Sequence, residues 1–258
     1  MRIWMAACAF AVCAVAPASA SAYELRQTSQ GAFVRWQDPQ VTFVVDSSLD
    51  KAAHGATDAV VEAIAAWNGQ GGGPHLVAQR GSGATGPAND GQNTILYMPD
   101  GYPPAGNALA VTVSTLDETT GDLVDTDIVI NGRYAFAVLS ERARSKHQAA
   151  VSNEGGGGET DGSFDLEHVV SHELGHALGL ADVYNDDHAV MYAYTAPEDA
   201  SGRAPSEDDL KGLDSLYGGS SKRAGCGQAC VGGSAAGGWA SALMVVAACA
   251  AAIRRRRG

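Results

Sequence analysis

Between residues 40 and 180 the spacing of apolar positions changes period several times, and each change marks a predicted element. Val41-Thr42-Phe43-Val44-Val45 is a β-branched and aromatic run just after Pro39, and it predicts a strand over residues 40–45. From Leu49 to Asn68 the spacing becomes helical: Val60, Ile64 and Trp67 share one face, Val61 widens it, and Asn68-Gly69 supplies the stop. Glycine-rich loops at 69–73 and 81–91 flank a short strand at His75–Gln79, and neither loop has the glycine spacing of a phosphate-binding turn. Further strands are expected at Thr94–Tyr97, then, after a loop from Met98 to Asn107, at Leu109–Val113 and Asp127–Ile130. The last two are joined through the turn residues Thr119-Thr120-Gly121-Asp122. Residues 132–153 show no clear period, and Gly155–Gly158 read as a link. Helical spacing returns after Asp165, whose carboxylate can cap the first turn, through Leu166, Val169, Val170, Leu174, Ala177 and Leu178.

The two ends follow other rules. Arg2, an apolar run from Ile3 to Val15 and the small residues Ala18-Ser19-Ala20-Ser21-Ala22 predict a secretory signal peptide over 1–22, cleaved after Ala20 or Ala22. The bland reading of the same stretch is a buried N-terminal helix. At the far end a Gly/Ser/Cys segment (219–238) with Cys226 and Cys230 precedes an apolar stretch from Trp239 to Ile253 and the cluster Arg254–Arg257. This predicts a hydrophobic tail anchor over 239–258, long enough to span a bilayer only if the lead from Val231 is counted, with the arginines on the cytoplasmic side. The tail resembles the three-part sorting signals of bacterial surface proteins, closest to the MYXO-CTERM type, and that resemblance implies membrane or sorting machinery as a partner. A weakly packed helix is the alternative.

What remains, residues 23–218, is one domain, and charge and cysteine content narrow what it does. The chain carries −12 overall, but all 29 Asp and Glu against only ten Lys and Arg lie in this domain, leaving it at −19. Such a surface repels phosphate backbones and argues against nucleic-acid binding. All five cysteines, Cys8, Cys13, Cys226, Cys230 and Cys249, fall outside it, so the domain must be stable without disulfides.

The chemistry concentrates in His172-Glu173-Leu174-Gly175-His176. Histidines four apart on a helix present two imidazoles on one face, and Glu173 projects beside them as a general base for metal-assisted hydrolysis. Gly179 can end the helix in the left-handed conformation and turn the chain back, bringing Asp182 in as a third ligand and leaving one position open. His188 is the rival third ligand. His168, four residues before His172, is read as a neighbour of the site and not as a ligand. Asp117, Glu118, Asp122, Asp125 and Asp127 surround one hairpin and suggest either a calcium site or a solvated acidic turn; their spacing is not that of an EF-hand.

His-Glu-Leu-Gly-His-Ala-Leu-Gly-Leu-Ala-Asp followed by Val190-Met191-Tyr192 resembles the metzincin metallopeptidases. Val124–Asn131 is similar to the strand before the active-site helix in the matrixin branch. Pro205 to Gly218 looks like its C-terminal helix, with Ser206 and Asp209 forming a capping box. The resemblance implies an α/β (α+β) metzincin-type domain: a twisted, mostly parallel sheet of about five strands, a backing helix, an active-site helix and a C-terminal helix. It implies a zinc metalloendopeptidase acting on proteins or peptides, with Zn2+ held by His172, His176 and Asp182 and Glu173 as general base. Met191 would form the floor under the metal, and residues up to about Pro197 would wall the pocket beyond the cut bond. Leu109, Ala110, Val111, Thr112 and Val113 would form the edge strand that pairs with substrate backbone. Tyr194 sits where some metzincins place a tyrosine that binds zinc or steadies the oxyanion. The departures are the aspartate at position 182 where most matrixins have histidine, and the lack of histidine in the loop 98–107, which removes the second, structural zinc. A catalytically inactive zinc-binding surface or adhesion module is the rival reading.

Overall fold

A computed structural model describes residues 23–68, 72–139, 162–218 and 242–250. The expected signal peptide, the glycine link, the Cys-bearing motif and the arginine cluster lie outside these residues.

The body is a twisted sheet of five strands: β2 (Gln40–Asp46), β3 (His75–Gly81), β4 (Asn93–Met98), β5 (Ala108–Asp117) and β6 (Leu123–Asn131). Their order across the sheet is β5-β6-β4-β2-β3. β2 runs parallel to β3 and β4, and β4 parallel to β6, while β5 is antiparallel to β6 through the expected turn. Alternation in β2 sends Val41, Phe43 and Val45 into the core. The helix α1 (Ala56–Trp67) covers one face of the sheet with Val60, Ile64 and Trp67 buried. It is shorter than its sequence periodicity suggests: Ser47–Lys51 is a 3-10 turn capped by Asp46, and Gly55, at φ 78°, breaks the path before α1 begins.

The second helix, α2 (Leu166–Ala177), begins where its cap residue predicts: the Asp165 carboxylate accepts the N–H of His168. It lies between α1 and the strands β5 and β6. A third helix, α3 (Glu207–Tyr217), carries the Ser206–Asp209 capping box. Two-residue strands tie the periphery: β1 (Glu24–Leu25) pairs with β9 (Leu180–Ala181), and β7 (Phe136–Ala137) with β8 (Phe164–Asp165).

One element departs from expectation. Ala242–Ala250, within the stretch read as a membrane-spanning helix, is a strand, β10, laid antiparallel on β5 with Val246 opposite Val113 and Ala247 opposite Thr112. An unpaired β5 edge presents a row of bare N–H and C=O groups, and an extended apolar segment satisfies them where a helix cannot. The edge expected to be open to substrate is thus paired with the chain's own tail. No helix among the described residues is long and apolar enough to cross a membrane.

Candidate metal centre

α2 is held at both ends, and this fixes what it presents. At its N-terminus Arg203 grips the Asp165 carboxylate through Nε and Nη2 and reaches the Leu139 carbonyl. At its C-terminus three side chains donate to the last carbonyls: Arg26 to His176 at 2.7 Å, Trp36 to Ala177 at 2.8 Å and Tyr217 to Leu178 at 2.8 Å. Gly179 follows at φ 98°, where a Cβ would also strike the Val34 carbonyl, so only glycine makes this turn.

The turn leads directly to Asp182. Its Oδ1 lies 3.2 Å from His172 Nε2 and 3.5 Å from His176 Nε2, and the two Nε2 atoms are 3.1 Å apart. Each imidazole uses its other nitrogen on a backbone carbonyl: His172 Nδ1 lies 2.8 Å from Val190 O and His176 Nδ1 3.0 Å from Leu180 O. A carbonyl only accepts, so each Nδ1 carries the hydrogen and each Nε2 turns a lone pair to the centre. Asp182 Oδ1 is buried there with no hydrogen-bond partner. Three ligands at zinc bond lengths around a tetrahedral ion stand roughly 3.3–3.5 Å apart, so this donor set fits one zinc-sized cation.

His188 does not share in this convergence: its side chain is 90 % exposed and pairs with Asp187 at 3.0 Å. His168 is buried, with Nδ1 on the Asp199 carbonyl, and burial lowers its pKa.

Glu173 is fully buried beside the donor set. Its Oε2 accepts from Thr112 Oγ1 at 2.6 Å, while Oε1 has no partner. Burial raises its pKa against the pull of the two imidazoles and of Thr112.

Met191 lies under α2, where its sulfur occupies the space that a Cβ on Gly175 would need. The turn around it is built by Asp209, which accepts from Val190 N at 2.9 Å, Met191 N at 3.2 Å and Ser206 N at 2.7 Å. The capping residue of α3 thereby aims the Val190 carbonyl at His172. Tyr194, 38 % exposed, packs edgewise on Tyr184 and Tyr192, with centroids 5.9 and 5.6 Å away. Leu109 to Val113 all lie within β5 and are buried.

The acidic hairpin is solvated in part: Asp117, Glu118 and Asp122 stay partly exposed at its turn. Asp125 and Asp127 are buried, 2 % exposed each, and accept backbone N–H groups from Gly91, Ala88 and Thr94; Asp117 caps its own turn at Thr119 and Thr120.

Sequence reading passed over Arg26, Trp36 and Arg203, whose partners are distant in the chain, and treated Thr112 only as strand backbone. Asp209 was visible as a cap for its own helix; its hold on the Met191 turn was not.

Fold and donor set together are those of an α/β domain with one three-donor cluster beside its second helix. Within it, residues 107–218 match the family model Peptidase_M10, Matrixin, and the chain is matrixin-like over that segment. Among curated proteins it is 45 % identical over 56 residues to matrix metalloproteinase-27 of Tupaia belangeri, covering 22 % of this chain and 11 % of that protein. It is 40 % identical over 62 residues to human matrilysin, covering 23 % of each. To the macrophage metalloelastase of Oryctolagus cuniculus it is 49 % identical over 51 residues, or 20 % of this chain and 11 % of that protein. The matched stretch thus spans between about a tenth and a quarter of these relatives. A solved structure, "GM1 bound form of the ECX AB5 holotoxin", aligns over 75 % of this chain and 87 % of that one at 16 % identity, with a TM-score of 0.41.

Proposed function

We propose that this protein is a zinc-dependent endopeptidase in which His172, His176 and Asp182 hold the metal and Glu173 is the general base. The observation that carries the proposal is the convergence of three lone-pair donors within 3.5 Å of one another beside a buried carboxylate with one free oxygen. The matrixin match over residues 107–218 supports the same class of reaction.

Zinc, when bound, would polarise the scissile carbonyl and make water more acidic. The remaining work falls to the chain. Glu173 takes a proton on Oε1 from the attacking water as the new C–O bond forms. It returns that proton to the amide nitrogen as the C–N bond breaks, leaving a carboxylic acid and an amine, which settle as carboxylate and ammonium when the acid proton passes to the amine. Burial favours the protonated form of Glu173, which suits a group that must hold a proton between the two transfers. Substrate backbone would add to the outer edge of β5, taking the place that β10 holds. Tyr194, exposed two residues past Met191, would border the pocket beyond the cut bond.

Residues 1–22 support export as part of this proposal, and residues 239–258 would serve retention at a cell surface once Ala242–Ala250 leave their pairing with β5.

The test is zinc content and casein cleavage for wild type and Glu173→Gln. Full zinc in both with cleavage only in wild type is expected. Cleavage retained by Glu173→Gln would sink the mechanism. Zinc bound by a wild type that never cleaves would point to the inactive surface module.

A further inference from the structure

The outer strand of the sheet and the proposed base are joined by one side chain. Thr112, fully buried on β5, places Oγ1 2.6 Å from Glu173 Oε2 and 3.0 Å from the backbone carbonyl oxygen of the same residue. Two acceptors of one residue therefore share one hydroxyl, while Glu173 Oε1 stays without a partner.

We infer that Thr112 is a positioning residue for Glu173: its hydroxyl anchors Oε2 and so leaves Oε1 as the oxygen available to act at the metal centre. The inference rests on the peptidase reading for its consequence in catalysis, but the contact itself does not.

A threonine hydroxyl has one hydrogen and two lone pairs. While Glu173 is ionised, Thr112 donates to Oε2, and 2.6 Å is the separation of a charge-assisted O–H···O bond. The same hydroxyl lies 3.0 Å from the Glu173 carbonyl, so it meets both the backbone and the side chain of the base. A valine in the same space offers neither contact.

Thr112 also sits midway along the stretch of β5 where substrate backbone would lie. Its backbone pairs with Ile128 on the inner side and with Ala247 on the outer. The strand that would align the peptide is thus the strand that sets the base, coupling their relative positions through a single residue.

The experiment compares Thr112→Val with Thr112→Ser in the full chain, loaded with zinc. The valine variant should keep its zinc and its KM within about twofold, yet lose roughly 10- to 100-fold in kcat, with serine restoring kcat to within about threefold. A wild-type kcat in the valine variant, a loss confined to KM, or a serine variant no better than valine would each overturn the inference. If the valine variant does not fold, Thr112→Ala takes its place against serine. A second readout needs no activity: the melting temperature of the metal-free protein. Thr112→Val should lower it by on the order of 5 °C when Glu173 is present and by little in a Glu173→Ala background. Equal shifts in both backgrounds would refute the contact. If wild type cleaves nothing, the peptidase reading fails while this thermal coupling still decides whether Thr112 holds Glu173.

Discussion

The sulfur of Met191 fills the space beside Gly175 where any other residue would carry its Cβ. Gly175 is therefore the contact through which the turn supports the metal helix, and the same turn supplies the Val190 carbonyl to His172. Gly175→Ala must displace a buried thioether from under α2. It should cost about 1–3 kcal/mol of stability and weaken zinc, measured by urea denaturation and by competition with a chromogenic chelator.

Of the two candidate third ligands, Asp182 faces the imidazoles and His188 faces solvent. Asp182→Ala removes one of three donors and leaves two imidazoles facing a gap, so zinc affinity should fall at least about 100-fold. Asp182→His, which restores a donor accepted by zinc, should recover much of it. His188→Ala, on an exposed side chain, should leave affinity unchanged. An equal loss from the His188 variant would return that residue to the ligand set.

Asp209 accepts three backbone N–H groups while capping α3. Asp209→Ala should destabilise the fold by roughly 2–4 kcal/mol and lower zinc affinity about tenfold, because the carbonyl that orients His172 loses its support. Isothermal titration of the metal-free variant with zinc measures the second effect directly.

Chelation should abolish cleavage while leaving the far-ultraviolet circular dichroism near native. The metal helix is held by Arg203, Arg26, Trp36 and Tyr217 through hydrogen bonds that need no ion. Unfolding on chelation would instead make the ion the main structural support, as in small zinc domains.

Burial, reinforced by the charges of Asp125 and Asp90, lifts the Asp127 carboxyl to about 7 against the N–H bonds it accepts from Ala88 and Thr94. Its value in the unfolded chain is about 3.9. Between those two values the native state binds the extra proton, so the Asp127 contribution falls as pH climbs from about 4 to about 7 and is flat above that. Urea midpoints at pH 5 and pH 8 should show this as a difference: Asp127→Asn should gain relative to wild type on moving to pH 8. No change in that difference would place the carboxyl in its ordinary range.

Much of the site was legible locally because its chemistry is written at short range. Helical spacing places His172 and His176 on one face and Glu173 beside them, Asp165 caps the start, and Gly179 makes the only turn that can follow. The positive φ and the backbone collision at Gly179 are the tertiary reasons for a residue already conspicuous in the chain. Elements failed to follow the sequence pattern where competition was nonlocal. The helix expected from residue 49 yields to a 3-10 turn and a left-handed Gly55, and apolar residues 242–250 take the conformation that an open strand edge rewards.

The sequence by itself determined the donor types, their order and the helix that carries two of them, since side-chain chemistry and helical periodicity are properties of neighbouring residues. Only the tertiary structure decided that Asp182 and not His188 completes the cluster, that Asp209 supports the turn behind His172, and that Thr112 reaches Glu173 from another element. Those relationships depend on packing between segments such as Val190–Asp209, 19 residues apart, and Thr112–Glu173, 61 apart, and no local pattern encodes which of many distant partners a buried polar atom will meet.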